Sequence, residues 1–132
     1  MGFPDVHQSY GRCRRAGHFI DRFYERFLAS DPRVARAFEG TNFSQQKRAL
    51  GQAIATAISY AEGESFVNST MERMAEVHSR GGRVPVDPAL YTPWLECMVE
   101  TAREVDPRWE DGLEARWREA LQPAVDLFVA RY

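Results

Sequence analysis

The sequence predicts an all-α fold. Apolar side chains recur at three- and four-residue intervals in successive segments, which is the repeat of one face of an α-helix. Helix-breaking pairs and single glycines punctuate those segments: Asp31-Pro32, Gly40, Gly81-Gly82, Asp87-Pro88 and Asp106-Pro107. No stretch shows the strict two-residue alternation of a half-buried strand.

The first residues, up to Arg15, point both ways. Val6, Tyr10 and Cys13 form a weak helical stripe, while Gly2, Pro4 and Gly11 oppose one. From Gly17 to Ala29 the residues Phe19, Ile20, Phe23, Tyr24, Phe27 and Leu28 give a helix with a broad buried face, ended by Asp31-Pro32. A short helical turn over Val34 to Phe38 leads to Gly40. A second long helix follows, lined by Phe43, Leu50, Ile54 and Ile58, with Gln46 and Lys47 on or beside the stripe.

Ser69 and Glu72 have capping-box spacing, so the next helix is expected to start at Ser69 and to carry Met71, Met74, Ala75 and His78 on one face until Gly81-Gly82 stops it. Asp87 and Pro88 supply an N-cap and a first-turn proline for a helix striped by Leu90, Tyr91, Trp94, Leu95, Met98, Val99 and Ala102. Asp106-Pro107 is expected to close that helix and open the last. The final apolar side holds Leu113, Trp117, Ala120, Leu121, Ala124 and Phe128, and Pro123 is expected to bend it.

At 132 residues, with no repeat and no linker-like tract, one domain spanning 1–132 with one core is expected. Seventeen basic and nineteen acidic side chains give a formal charge of -2, which argues against nucleic acid or an anionic membrane as a partner. Cys13 and Cys97 have no C-x-x-C spacing and read as reduced thiols. No run approaches the roughly 20 apolar residues of a membrane span. The first residues lack an apolar signal core, and Val6 stands where a myristoylation pattern requires Ser or Thr. The expected compartment is the cytoplasm.

Of the three histidines, only His78 sits in an apolar helical stripe just before a glycine-rich break. Two readings apply: a buried, hydrogen-bonded imidazole, or a haem-iron ligand presenting a neutral ring nitrogen from a rigid wall. A haem ligand needs an opposite wall of aromatic and aliphatic surface, with hydrogen-bond donors over the iron; Tyr24 and Gln46 are the candidates. His7 and His18 read as surface or capping residues. Lys47 and Arg80 could either reach haem propionates or remain solvated.

With those residues in view, the chain from about Gly17 to Tyr132 resembles the globin family, particularly bacterial single-domain globins and the haem domain of flavohaemoglobins. FYERFLASDPRVARAF resembles the second globin helix and its following corner, with Tyr24 at the distal tyrosine position and Phe38 at the corner phenylalanine that packs on haem. QKRAL places Gln46 at the distal glutamine position and Leu50 one turn on. The 32 positions between Gln46 and His78 match full-length bacterial globins better than truncated ones, and His78 falls on the proximal ligand position. LYTPWL resembles the start of the G helix, with Tyr91 as a proximal-side tyrosine and Trp94 as a haem-packing residue; Met74 joins them as a haem contact. The segment from His78 to Tyr91 is slightly longer than in flavohaemoglobins. No glutamate near Phe128 to Tyr132 matches their proximal acid, which weakens the case for peroxidase-like chemistry.

The resemblance implies a globin fold of roughly six to eight helices around a haem pocket. It implies haem b as cofactor and dioxygen, carbon monoxide and nitric oxide as ligands, with His78 on the metal and Tyr24 and Gln46 over the gas. Reversible oxygen binding is the favoured reading over catalysis. The alternatives are nitric oxide dioxygenation with a separate reductase, or gas or redox sensing through a partner, including a homodimer. A haem-free sensing relative is the remaining option.

Overall fold

The computed structural model describes residues 2–132, and among them it contains seven α-helices and no strand. They are α1 (Pro4–Arg15), α2 (Phe19–Ser30), α3 (Pro32–Ala37), α4 (Phe43–Ala61), α5 (Asn68–Val77), α6 (Tyr91–Val105) and α7 (Leu113–Ala130). Three-residue 3₁₀ turns at Ser65–Val67 and Pro88–Leu90 lead into α5 and α6. No helix among the described residues is long and apolar enough to cross a membrane.

The ambiguous first segment is a helix. Pro4 opens α1 at its first turn, where a missing N–H costs nothing. Asp5 at the start and Arg12, Arg14 and Arg15 at the end complement the helix dipole. Gly11 costs about 1 kcal/mol inside a helix, which burial of Val6, Tyr10 and Cys13 outweighs. Asp31 ends α2 in an extended conformation and caps α3 by accepting from the Arg33 amide at 2.8 Å. Asn42 caps α4 through the Gln45 amide, and Asp87 caps the turn before α6 through the Ala89 amide.

Two helix starts differ from expectation. α5 begins at Asn68 rather than at a box formed by Ser69 and Glu72. The 3₁₀ turn anchored by buried Val67 already hands the Asn68 amide to the Ser65 carbonyl, so no side-chain cap is required there, and Glu72 pairs instead with Arg131 at 3.0 Å. Asp106-Pro107 closes α6 without opening α7, which starts six residues later behind Gly112 at φ +93°, a left-handed conformation suited to glycine. The Asp106 carboxylate is turned inward and used elsewhere. Pro123 lies inside α7, and the helix continues through it to Ala130.

The most extensive helix packings are α4 on α7 and α2 on α6, with α1 crossing the α6–α7 side. That crossing is tied by a buried polar knot. Arg12 grips Asp106 through Nε–Oδ1 at 2.6 Å and Nη2–Oδ2 at 2.9 Å, Ser9 Oγ donates to Asp106 Oδ2 at 2.6 Å, and Trp117 Nε1 donates to Ser9 Oγ at 3.0 Å. Trp117 is wholly buried beneath it and packs on Tyr10 and Phe19. Cys13 and Cys97 are buried free thiols. Burial pushes the Cys13 thiol up to about 12, so it is inert rather than nucleophilic.

Candidate functional site

Tyr24 and Gln46 come together. Tyr24 on α2 is almost wholly buried, and Gln46, in the first turn of α4, donates from Nε2 to the Tyr24 hydroxyl at 3.0 Å. Since Gln46 donates, Tyr24 accepts, and the tyrosine's own hydrogen has no partner among the described residues. Phe23, Phe38 and Phe43 surround the Tyr24 ring edge-on, with centroids at 5.2, 5.7 and 5.5 Å, the favoured arrangement for aromatic pairs. Burial pushes the Tyr24 hydroxyl up to about 12, against the hydrogen bond from Gln46. It therefore stays a neutral donor throughout the physiological range. Leu50, one turn after Gln46, is buried in the core.

His78 terminates α5, with its backbone amide bonded to the Met74 carbonyl at 3.1 Å. Its ring is held from the following loop: Nδ1 lies 2.9 Å from the carbonyl oxygen of Val84. A carbonyl can only accept, so Nδ1 carries the hydrogen and the neutral ring keeps its lone pair on Nε2. Phe128 of α7 stands edge-on to the imidazole at 5.9 Å and also meets Tyr91 at 5.9 Å.

An aromatic series links the two walls. Phe23 packs against Trp94 at 6.2 Å, Trp94 lies one helical turn after Tyr91, and Tyr91 reaches His78 through Phe128. Phe38, Met74, Val86, Trp94 and Phe128 are partly buried apolar side chains resting on the core rather than within it. An apolar ligand seated on this partly covered surface would complete its burial.

The Tyr91 hydroxyl is, among the buried side-chain nitrogens and oxygens of the described residues, the one found with no hydrogen-bond partner; burial pushes it up to about 12. An orphaned hydroxyl in native packing calls for a partner, and a polar group bound beside it would supply one. No group of three His, Cys, Asp or Glu side chains that could cage a bare ion exists among the described residues. A single imidazole with a free Nε2 beside a partly buried apolar wall instead fits an iron already held by a macrocycle, which needs one axial donor from the protein.

The other histidines point elsewhere: His7 bonds Glu62 at 2.9 Å, and exposed His18 donates from Nδ1 to the Ala16 carbonyl at 3.2 Å. Lys47 pairs with Asp21 at 2.9 Å, and the Arg80 guanidinium lies over the Tyr132 ring at 4.7 Å. Sequence reasoning placed Phe43 and Phe128 only in apolar stripes and missed Val84 altogether. The Val84 contribution is a backbone carbonyl, and the Gly81-Gly82 pair was its only available signal.

The globin family model matches residues 21–127. Among solved structures, the chain is similar to a Pseudomonas aeruginosa PAO1 protein described as structurally highly homologous to a human hemoglobin. Identity is 31%, the TM-score is 0.90, and the alignment covers 96% of this chain and 95% of that one. No curated protein matches the chain.

Proposed function

The chain belongs to the globin family, and from that premise we propose that it holds haem b between Tyr24 and His78 and binds a diatomic gas reversibly. Phe38, Met74, Tyr91 and Trp94 would form the apolar contact, Leu50 would back the helix that bears Gln46, and His78 would hold the iron through Nε2. When bound, haem supplies an iron centre able to take dioxygen, carbon monoxide or nitric oxide.

The observation that carries this reading is the pairing of Tyr24 and Gln46 at 3.0 Å, two hydrogen-bonding side chains from different helices brought together inside an aromatic shell. A tyrosine that merely satisfied itself would spend its hydrogen on a protein acceptor. Tyr24 accepts instead and keeps that hydrogen for a polar ligand bound beside it. The aromatic ring edges of Phe38 and Phe43 keep bulk water away, so the bond forms in a low dielectric, where it is stronger. On the proximal side the Val84 carbonyl holds the Nδ1 proton, which fixes the tautomer and makes Nε2 a better donor.

A hydrogen bond of this kind contributes on the order of 1.5 kcal/mol or more, about tenfold in a dissociation constant. Tyr24→Phe is therefore expected to release dioxygen about tenfold faster or more in stopped-flow measurements. An unchanged rate would remove Tyr24 from the ligand pocket and leave Gln46 as its donor.

A further inference from the structure

We infer that Gly82 is a positioning residue for His78, acting through the loop that follows α5; this rests on the reading of His78 as the haem ligand. The loop doubles back on the end of its own helix. Val84 N–H donates to the Val77 carbonyl at 2.9 Å, Val86 N–H donates to the His78 carbonyl at 3.1 Å, and His78 Nδ1 donates to the Val84 carbonyl at 2.9 Å. The loop thus satisfies two carbonyls that the helix end would otherwise leave without partners. The same residue, Val84, ties down the backbone before His78 with its N–H and the His78 ring with its carbonyl.

The return path is narrow at one place. A Cβ on Gly82 would run into the Glu76 and Val77 carbonyl oxygens and lie 2.7 Å from the Val77 carbonyl carbon, all backbone atoms that have no rotamer by which to yield. The neighbouring Gly81 faces open space, where a Cβ meets nothing within 4 Å. Two adjacent glycines therefore have different roles: Gly81 could carry a methyl group, whereas a methyl group on Gly82 would push the loop off the helix end and carry the Val84 carbonyl away from Nδ1. Ligand orientation at this site depends on the loop downstream of the histidine as well as on the helix that bears it.

The pair Gly82→Ala and Gly81→Ala tests this. In the haem-free protein, ¹⁵N NMR of the His78 ring should show the Nδ1–H tautomer in wild type and Gly81→Ala, and its loss in Gly82→Ala. After haem loading, Gly82→Ala should lower the iron–histidine stretching frequency in the ferrous state and raise the rate of haem transfer to an acceptor apoprotein by about tenfold or more, as loss of a ligand's supporting hydrogen bond does. Gly81→Ala should match wild type in both. Equal behaviour of the two variants would overturn the assignment. If wild type takes up no haem, the ligand reading fails, while the haem-free tautomer measurement still decides the loop's role. Should Gly82→Ala fail to fold, hydrogen exchange on wild type serves: the Val84 and Val86 amides should be protected, and exchange at unstructured-chain rates would contradict the clamp.

Discussion

The α1–α6–α7 crossing and the region between Tyr24 and His78 handle their polar groups under opposite rules. At the crossing, the polar side chains are engaged with one another. Asp106 is buried and receives Arg12, Ser9 and the Arg108 amide, and Trp117 spends its N–H on Ser9. Between Tyr24 and His78, polar atoms are left over: the Tyr24 hydrogen is uncommitted, the Tyr91 hydroxyl is orphaned, and the His78 Nε2 lone pair is not used by the bond to Val84. A buried hydroxyl without a partner is costly, and Tyr91 is such a group, which supports the proposal that a ligand binds on the second side.

The largest stability effect should come from breaking the closed side. Asp106→Ala leaves Arg12 without its carboxylate and Ser9 without its acceptor, and should cost about 3 kcal/mol, read as a lower urea midpoint with haem binding retained. A loss under 1 kcal/mol would mean that the knot is incidental to the α1 docking.

Acid and alkali should separate the two regions. Burial alone would raise the Asp106 carboxyl, yet the hydrogen bonds from Arg12, Ser9 and the Arg108 amide hold it below its ordinary value. Its stabilising contribution is therefore complete above the ordinary carboxylate range and is lost as pH falls through the lowered folded value. The Asp106→Ala variant should lack that part of the acid transition. Tyr24 and Tyr91 behave oppositely: their folded values near 12 lie above the ordinary tyrosine value, so their contribution is complete below about pH 10 and disappears as pH rises toward 12. In an ultraviolet titration Tyr24 and Tyr91, and in the same direction Tyr10, should ionise above the ordinary tyrosine range, and Tyr24→Phe should remove one of these late steps. A titration unchanged by Tyr24→Phe, with no step above the ordinary tyrosine range, would contradict the burial of both hydroxyls.

The smallest effect should carry an unusual sign. Removing an unsatisfied buried hydroxyl relieves a penalty, so Tyr91→Phe should stabilise the haem-free protein by about 1 kcal/mol. Destabilisation of that size would show that the hydroxyl already has a partner in solution, and the contrast between the two regions would lose one of its three elements.

Most of the helices were legible because stripes such as Phe19–Phe23–Phe27 and Trp117–Leu121–Ala124 repeat over several turns. Tyr24, Gln46 and His78 stood out because their chemistry is rare on such stripes, and the resemblance put them in one pocket. What escaped was long-range or carried by backbone. Asp106 looked like a local helix signal because nothing in its neighbourhood reveals Arg12, 94 positions away. The start of α5 was misplaced because a 3₁₀ turn replaced the side-chain cap. The Val84 carbonyl has no side-chain signature at all, and its effect on His78 emerges only when the loop's return path through Gly82 is seen in three dimensions.

The most direct test of the central claim is haem titration of the purified protein, followed by visible absorption in wild type and His78→Ala, ferric and ferrous, with and without dioxygen and carbon monoxide. A stoichiometric Soret band that shifts with each gas in wild type, and is lost or altered in the variant, is the predicted result. Absence of haem uptake, or identical spectra in the two proteins, would contradict the assignment of His78.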